Sequence, residues 1–196
     1  MSITIRDTSN TILSTAERLF NERGGPIVSM KDISEAAGIS RQAVYLHFAS
    51  RTSLISATLC FIDDASRNGD EFRHLREAQT GPEILYAFVE YWGNYVPKVY
   101  GAAKALMALR DKDEAAATVW EERMESFRNG CRRTIETIEH EGRLSPQWTV
   151  DEGVDLMSTM LSIESWERLT IERSWTTEEY VVRVNRALRQ ILLVPD

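Results

Sequence analysis

The chain is poor in the residues that build metal centres, disulfide frameworks and membrane spans. Two cysteines, Cys60 and Cys131, and three histidines stand among 196 residues. The cysteines lie far apart in helical stretches and form no Cys-x-x-Cys pair, so they read as buried free thiols of a reducing compartment. No apolar run approaches membrane-spanning length, and the opening Met-Ser-Ile-Thr-Ile-Arg-Asp lacks the apolar core of a secretion signal. A cytoplasmic chain with no membrane partner is expected. No Gly-rich phosphate loop, Gly-x-Ser-x-Gly elbow or His-Glu-x-x-His pair occurs. Glu71-Phe-Arg-His74 fits the Glu-x-x-His unit of di-iron bundles, but such a site needs a second copy and two more inward glutamates. His140 has Thr137 three positions before it, so the second copy is missing. The sequence thus offers no catalytic residue, no metal site and no cofactor site. A non-enzymatic protein is expected, with Glu71 and His74 on a solvated helix face.

Positive charge is also scarce. The formal charge is −7, but it is unevenly spread. Residues 1–51 hold six Lys or Arg against five Asp or Glu, for +1, and the remainder holds 17 against 25, for −8. An acidic body repels phosphate and limits indiscriminate binding to nucleic acid, leaving a small local patch to act. With 43% hydrophobic residues the chain can still bury a core.

Convincing strand alternation is absent too, and almost every segment has a helical period. The all-α expectation is about nine helices. The first spans about 8–23, with Ile12, Leu13, Ala16, Leu19 and Phe20 on one stripe, and stops at Gly24-Gly25-Pro26. The second spans about 29–37, with Ser29 as N-cap, Asp32 three residues on and Gly38 as a left-handed C-cap. Ser40 caps the third, about 40–48. A longer helix is expected from Arg51 to about Leu75, with Leu54, Thr58, Phe61, Ile62 and Ala65 inward. Gly81-Pro82 opens the next, which Pro97 should kink or break. Asp111–Glu141 follows, ended by Gly142. Helices at about 149–172 and 177–193 finish the chain.

The short third helix is the most informative. With Arg41 at the origin of a helical wheel, Val44 and Phe48 fall at about −60° and −20°, the natural buried stripe, packing on Ile33, Ala37 and Ile39. Gln42, Ala43 and Leu46 fall at about 100–200°, facing away from that core, with Tyr45 and His47 on the two flanks. A helix of this size and donor set suits a DNA major groove, its centre turned to base edges and its flanks to phosphates. Arg41 is long enough to reach a guanine, Gln42 could pair with adenine, and Ala43 and Leu46 offer apolar surface to a thymine methyl. Tyr45 has a second reading as core, and His47 as a merely solvated helix residue.

The run Ile33-Ser-Glu-Ala-Ala-Gly-Ile-Ser-Arg-Gln-Ala-Val-Tyr-Leu-His-Phe48, followed by Ser50-Arg51 and Leu54, resembles the helix-turn-helix signature of the tetracycline-repressor (TetR) family. Ile12–Gly24 resembles that family's first helix, and Ser29 its usual Ser or Thr before helix two. The resemblance covers about residues 8–55. It implies phosphate contacts at Ser29, Ser40, Tyr45, His47 and Arg51, and base contacts around Arg41, Gln42 and Ala43. Two departures stand out. Thr52-Ser53 follows Arg51 where the family has an acidic and a small residue, so the next helix is capped differently. Leu46 replaces an often polar residue, so operator preference does not transfer from relatives.

The resemblance further implies a DNA-binding domain at 1–50 and a helical effector-binding and dimerisation domain at 51–196. All five tryptophans lie in the second part. Aromatics and methionines at helical spacing there fit plain core or the lining of a cavity for a flat or greasy molecule. On the cavity reading the lining is Trp92, Tyr95, Met107, Trp120, Met124, Phe127 and Met157, and Glu90 or Glu164 would favour a cationic ligand. The two C-terminal helices, with Val150, Val154, Met157 and Leu161 and then Tyr180 to Leu192, either cover their own core or pair with a twin. The resemblance implies a homodimer through them. The functional expectation is a dimeric regulator, a repressor that a small, largely hydrophobic or aromatic ligand releases from a palindromic double-stranded operator. The recognition helices would then sit about 34–36 Å apart, or a multiple of one DNA turn. The alternative is a helical ligand- or partner-binding protein with a non-functional head.

Overall fold

The computed structural model describes residues 5–195, with the side chains of residues 7–195. The described residues form ten α-helices, a five-residue π-helical stretch and no strand. The helices are α1 (Ile5–Arg23), α2 (Met30–Ala37), α3 (Arg41–His47), α4 (Arg51–Arg67), α5 (Asp70–Glu77), α6 (Gly81–Arg110), α7 (Glu114–His140), α8 (Val150–Met160), α9 (Ile163–Glu167) and α10 (Thr177–Leu192).

Three of the expected boundaries differ. The helix read as Arg51–Leu75 is two, because the chain turns extended at Gly69 (φ −79°, ψ 163°) before α5 begins. Helix α6 runs unbroken through Pro97, whose missing N–H removes one ladder bond without ending the helix. The stretch read as one helix over 149–172 stops at Met160. It restarts as α9 under a Ser162 cap and widens into the π stretch Arg168–Glu172. Of the two thiols read as buried, Cys60 is exposed and Cys131 is buried. Burial pushes the Cys131 thiol up to about 12. Phe61 is only half-buried and Ala65 is exposed, while Leu54, Thr58 and Ile62 are buried as expected.

The described chain packs as two compact units that cut the sequence differently from a split at residue 50. One holds the chain through Ser66 together with Pro97–Glu122, and the other holds Arg67–Val96 and Arg123 onward. In the first, Ile12, Ala16, Leu19 and Phe20 of α1, Ile33 of α2, Val44 of α3 and Leu54, Ile55 and Leu59 of α4 are buried with Ala105 and Leu106 of α6. Gly25 (φ 71°) and Gly101 make the close approach possible. A Cβ on Gly25 would strike the Gly101 carbonyl, and one on Gly101 would strike the Phe20 carbonyl. Asn21 secures the same seam, its Nδ2 donating to the Lys98 carbonyl at 3.0 Å and its Oδ1 accepting from Gly101 N at 3.1 Å.

The second unit buries Leu85, Val89 and Val96 of α6, Cys131, Ile135 and Ile138 of α7, Val154 and Met157 of α8, and Tyr180, Val184, Leu188 and Leu192 of α10. Thr149 and Thr176 close reciprocal capping boxes with Glu152 and Glu179 at the starts of α8 and α10. The chain end is pinned where Leu144 pairs with Leu193 and the Trp148 indole donates to the Ile191 carbonyl at 2.9 Å.

Candidate nucleic-acid interface

The two-helix head is built by local capping. Ser29 Oγ accepts from Asp32 N at 3.2 Å, and Asp32 Oδ2 accepts from Ser29 N at 2.8 Å and from Ser29 Oγ at 2.5 Å. These hydrogen bonds, with Arg23 nearby, hold the Asp32 carboxyl below its ordinary value. Helix α2 ends at Gly38 (φ 67°), where the Gly38 N–H reaches Glu35 O and the Ile39 N–H reaches Ser34 O. Two residues on, Ser40 Oγ accepts from Ala43 N at 3.1 Å and starts α3.

The wheel derived from the sequence is the one the fold adopts. Val44 is wholly buried and Phe48 nearly so, while Arg41 and Gln42 are exposed and Leu46 is 82% exposed. Ala43 and His47 are half-buried. Tyr45 is 40% exposed, so it is not core. The Arg41 guanidinium lies over the Tyr45 ring, 5.6 Å from its centroid. The outer face of α3 is thus a long cation braced on an aromatic, an amide and a bare leucine. That set can read a groove by hydrogen bonds and by apolar contact with a methyl.

Arg51, expected at a phosphate, is engaged within the chain. Its Nη2 donates to the Pro26 carbonyl at 2.7 Å and to the Gly25 carbonyl at 3.4 Å, and partial burial lowers its pKa. A guanidinium so engaged ties the α1–α2 loop to the start of α4. Helix α4 is indeed capped differently from the family habit. Ser53 Oγ accepts from Ser50 N and Ser50 Oγ from Ser53 N, both at 3.0 Å, so a serine does the work of the acidic residue. Thr52, buried, donates instead to Asp113 Oδ2 at 2.5 Å, and Asp113 Oδ1 in turn accepts from Ala115 N at 3.0 Å at the start of α7. Sequence reasoning missed this link, because no local pattern marks a partner 61 residues away. It also passed over Ile27, which stands 75% exposed in the α1–α2 loop after the Gly-Gly-Pro turn.

The seven residues read as a ligand lining fall in both units. Met107 and Trp120 belong to the first, where Trp120 lies under the Arg110 guanidinium at 5.4 Å. Trp92, Tyr95, Met124, Phe127 and Met157 belong to the second. There Trp92 stacks on Phe127 with centroids 4.2 Å apart, touches the Tyr95 ring, and donates its indole N–H to the Leu161 carbonyl at 2.5 Å. Met157 is wholly buried, and the Tyr95 hydroxyl accepts from Arg123 Nη2 at 2.5 Å. An open cleft of about 650 Å³ in the same unit is lined by none of the seven, although Glu90 is on its wall. Glu164 is exposed on α9. Among the described residues no group of three or more His, Cys, Asp or Glu is placed to hold a metal, and no helix is long and apolar enough to cross a membrane.

An all-helical chain led by a capped helix-turn-helix can be compared with known proteins. Residues 12–58 match the family described as bacterial regulatory proteins, tetR family. The match reaches the HTH-type transcriptional regulator TtgR of Pseudomonas putida, 39% identical over 54 residues, which are 28% of this chain and 26% of TtgR. The chain is thus matched over only about a quarter of that relative's length. The fold is similar over nearly the whole chain. A Saccharomonospora viridis protein described as a transcriptional regulator and solved in complex with choline superposes with a TM-score of 0.80 at 17% identity, covering 97% of this chain and 100% of that one. NalD, the secondary repressor of the MexAB-OprM multidrug efflux pump in Pseudomonas aeruginosa, gives 0.65 at 20% identity, covering 96% and 97%.

Proposed function

We propose that this chain is a cytoplasmic, sequence-specific DNA-binding regulator of transcription, acting as a dimeric repressor. One observation supports this most: α3 buries Val44 and Phe48 while turning Arg41, Gln42 and Leu46 outward. An apolar side chain as bare as Leu46 is poorly suited to water and well suited to a thymine methyl. On this reading residues 1–50 bind DNA and residues 51–196 bind an effector and pair two copies through the C-terminal helices. Ser29, Ser40, Tyr45 and His47 touch phosphates, and Arg41, Gln42 and Ala43 touch bases. A small, largely hydrophobic or aromatic effector releases the operator by favouring one arrangement of the helices that follow the head.

The direct test is selection of duplexes from a randomised pool on the purified chain, at low and at moderate salt. A palindromic consensus with half-sites one helical turn apart, or a multiple of it, is the expected result. Recovery of no sequence at low salt would end the DNA-reading assignment.

A further inference from the structure

Apolar packing in the first compact unit holds the head, α1–α3, without fixing its angle. Ile12, Ala16, Leu19 and Phe20 of α1 are buried, and so are Ala102, Ala103 and Ala105 in the second half of α6. Burial of this kind is non-directional, and alanines make low ridges on which a helix can turn. Directional ties are needed to set the angle. Thr52 donates to Asp113 Oδ2, joining the start of α4 to the turn before α7. One such tie is a pivot, about which the head can still rotate.

Asn21 supplies a second tie. It is exposed and lies off the buried stripe of α1. Its amide nevertheless uses both ends on the α6 backbone, Nδ2 donating to the Lys98 carbonyl at 3.0 Å and Oδ1 accepting from Gly101 N at 3.1 Å. Bonds to two backbone groups three residues apart fix both the height and the rotation of α1 on α6. Exposed neutral hydrogen bonds add only modest net stability, so the larger effect of this pair is geometric. The following turn passes that geometry on. Gly25 and Gly101 let backbone meet backbone, with no side chain between them to give way. Gly25 N donates to Phe20 O at 2.9 Å, Val28 N donates to Gly25 O at 3.1 Å, and Arg51 holds the Gly25 and Pro26 carbonyls. Val28, Met30 and Ile33 are buried next in the chain, and Val44 seats α3. A change in the angle of α1 is therefore carried to Arg41 and Gln42.

We propose that Asn21 is a positioning residue that fixes the angle of the head on α6 and thereby the spacing of operator half-sites. The consequence for spacing rests on the reading of the chain as a paired DNA reader; the fixing of the head does not. One base pair moves a half-site by about 3.4 Å and turns it by about 35°, so a head held at one angle accepts one spacing. Spin labels on Glu35→Cys and Glu121→Cys, exposed positions of the same compact unit, report the angle in a Cys60→Ser background, with Cys131 buried. The labelled chain gives one narrow distance, and adding Asn21→Leu, which removes the amide at similar volume, broadens it. Duplex selection with the half-site spacing randomised reads the consequence. The wild-type chain selects one spacing. Asn21→Leu admits spacings about one base pair longer or shorter, its discrimination between them falling about tenfold while the half-site sequence stays the same. Glu22→Gln, beside it on α1 but bonded to Arg18 at 2.9 Å, leaves distance and spacing as in the wild type. Thermal melts show each variant folded. A distance that Asn21→Leu leaves equally narrow overturns the proposal. An unaltered spacing preference, or a changed half-site sequence, does the same. If the wild-type chain selects no duplex, the DNA reading is lost, and the spin-label distances alone decide whether Asn21 fixes the head.

Discussion

The guanidinium of Arg41 rests over the ring of Tyr45, 5.6 Å from its centroid and one helical turn away on α3. An exposed contact of this kind is worth about 0.5–1 kcal/mol, enough to narrow the rotamers of a side chain that would otherwise sweep widely. On the proposed reading the tyrosine has two separable parts, a hydroxyl for phosphate and a ring that aims the arginine. Arg41→Ala is expected to weaken the selected duplex by about 1–3 kcal/mol and to relax preference at one base pair. Equal loss on selected and random duplexes would remove its base-reading role. Tyr45→Phe keeps the ring and is expected to weaken all sequences alike, whereas Tyr45→Leu additionally blurs the position read by Arg41. Quantitative binding across single-base operator variants measures both effects.

Leu46 is 82% exposed and supports nothing inside the chain. Leu46→Ala should therefore leave the melting free energy unchanged within about 0.5 kcal/mol. If its side chain meets a thymine methyl, the same variant loses discrimination against uracil-for-thymine replacement at one step of each half-site. A variant that melts early, or that discriminates as before, counts against the placement of this residue.

Arg51 holds the carbonyls of Gly25 and Pro26, so its loss should be felt in folding before it is felt in DNA binding. Hydrogen bonds from a charged donor contribute about 1.5–3 kcal/mol, and Arg51→Met is expected to lower stability toward the small end of that range. The salt dependence of DNA affinity separates the two roles. A phosphate contact, once removed, reduces the slope of log K against log salt by about one, while a loop tie leaves the slope unchanged. We expect an unchanged slope.

What the sequence made legible was mostly local. Ser29, Gly38 and Ser40 could be placed because a cap acts within three residues of itself, and the buried pair Val44 and Phe48 follows from a period that needs no partner. Cys60 was misplaced because a helical period does not say which stripe meets a neighbour. The break at Gly69 falls inside a charged, periodic stretch that reads as one helix. Arg51 and Thr52 could not be placed, since their partners lie 25 or 26 and 61 residues away and offer no spacing to read. The aromatic and methionine set was chosen by helical spacing, which does not reveal that Trp92 and Phe127 stack on each other or that Met107 and Trp120 belong to another compact unit.

The thiols give an inexpensive check on the packing. Cys60 is exposed on α4, while burial pushes the Cys131 thiol up to about 12 and keeps its thiolate population negligible near neutrality. One thiol per chain should react promptly with an aromatic disulfide reagent in the folded protein, and both after denaturation. Cys60→Ser should abolish the prompt reaction. Prompt reaction of both thiols in the folded chain would show that the α7 face bearing Cys131 opens readily.

The Thr52–Asp113 bond joins the first turn of α4 to the cap of α7 within one compact unit. The Thr52 hydroxyl is the main reason the Asp113 carboxyl lies below its ordinary value; desolvation opposes it, and the backbone N–H groups of Ala116 and Ala115 lower it further. A carboxyl depressed in the folded state contributes stability that is fully present above the unfolded value, at about pH 4 and higher. That contribution is lost as pH falls through the lower folded value. Thr52→Val removes the hydroxyl at nearly constant volume, so the folded carboxyl rises toward the unfolded one and less remains to be lost in acid. The variant should melt lower than wild type near neutral pH, and the gap should close as the solution is acidified. A gap of constant width from neutral to acid pH would show that Thr52 acts through packing alone.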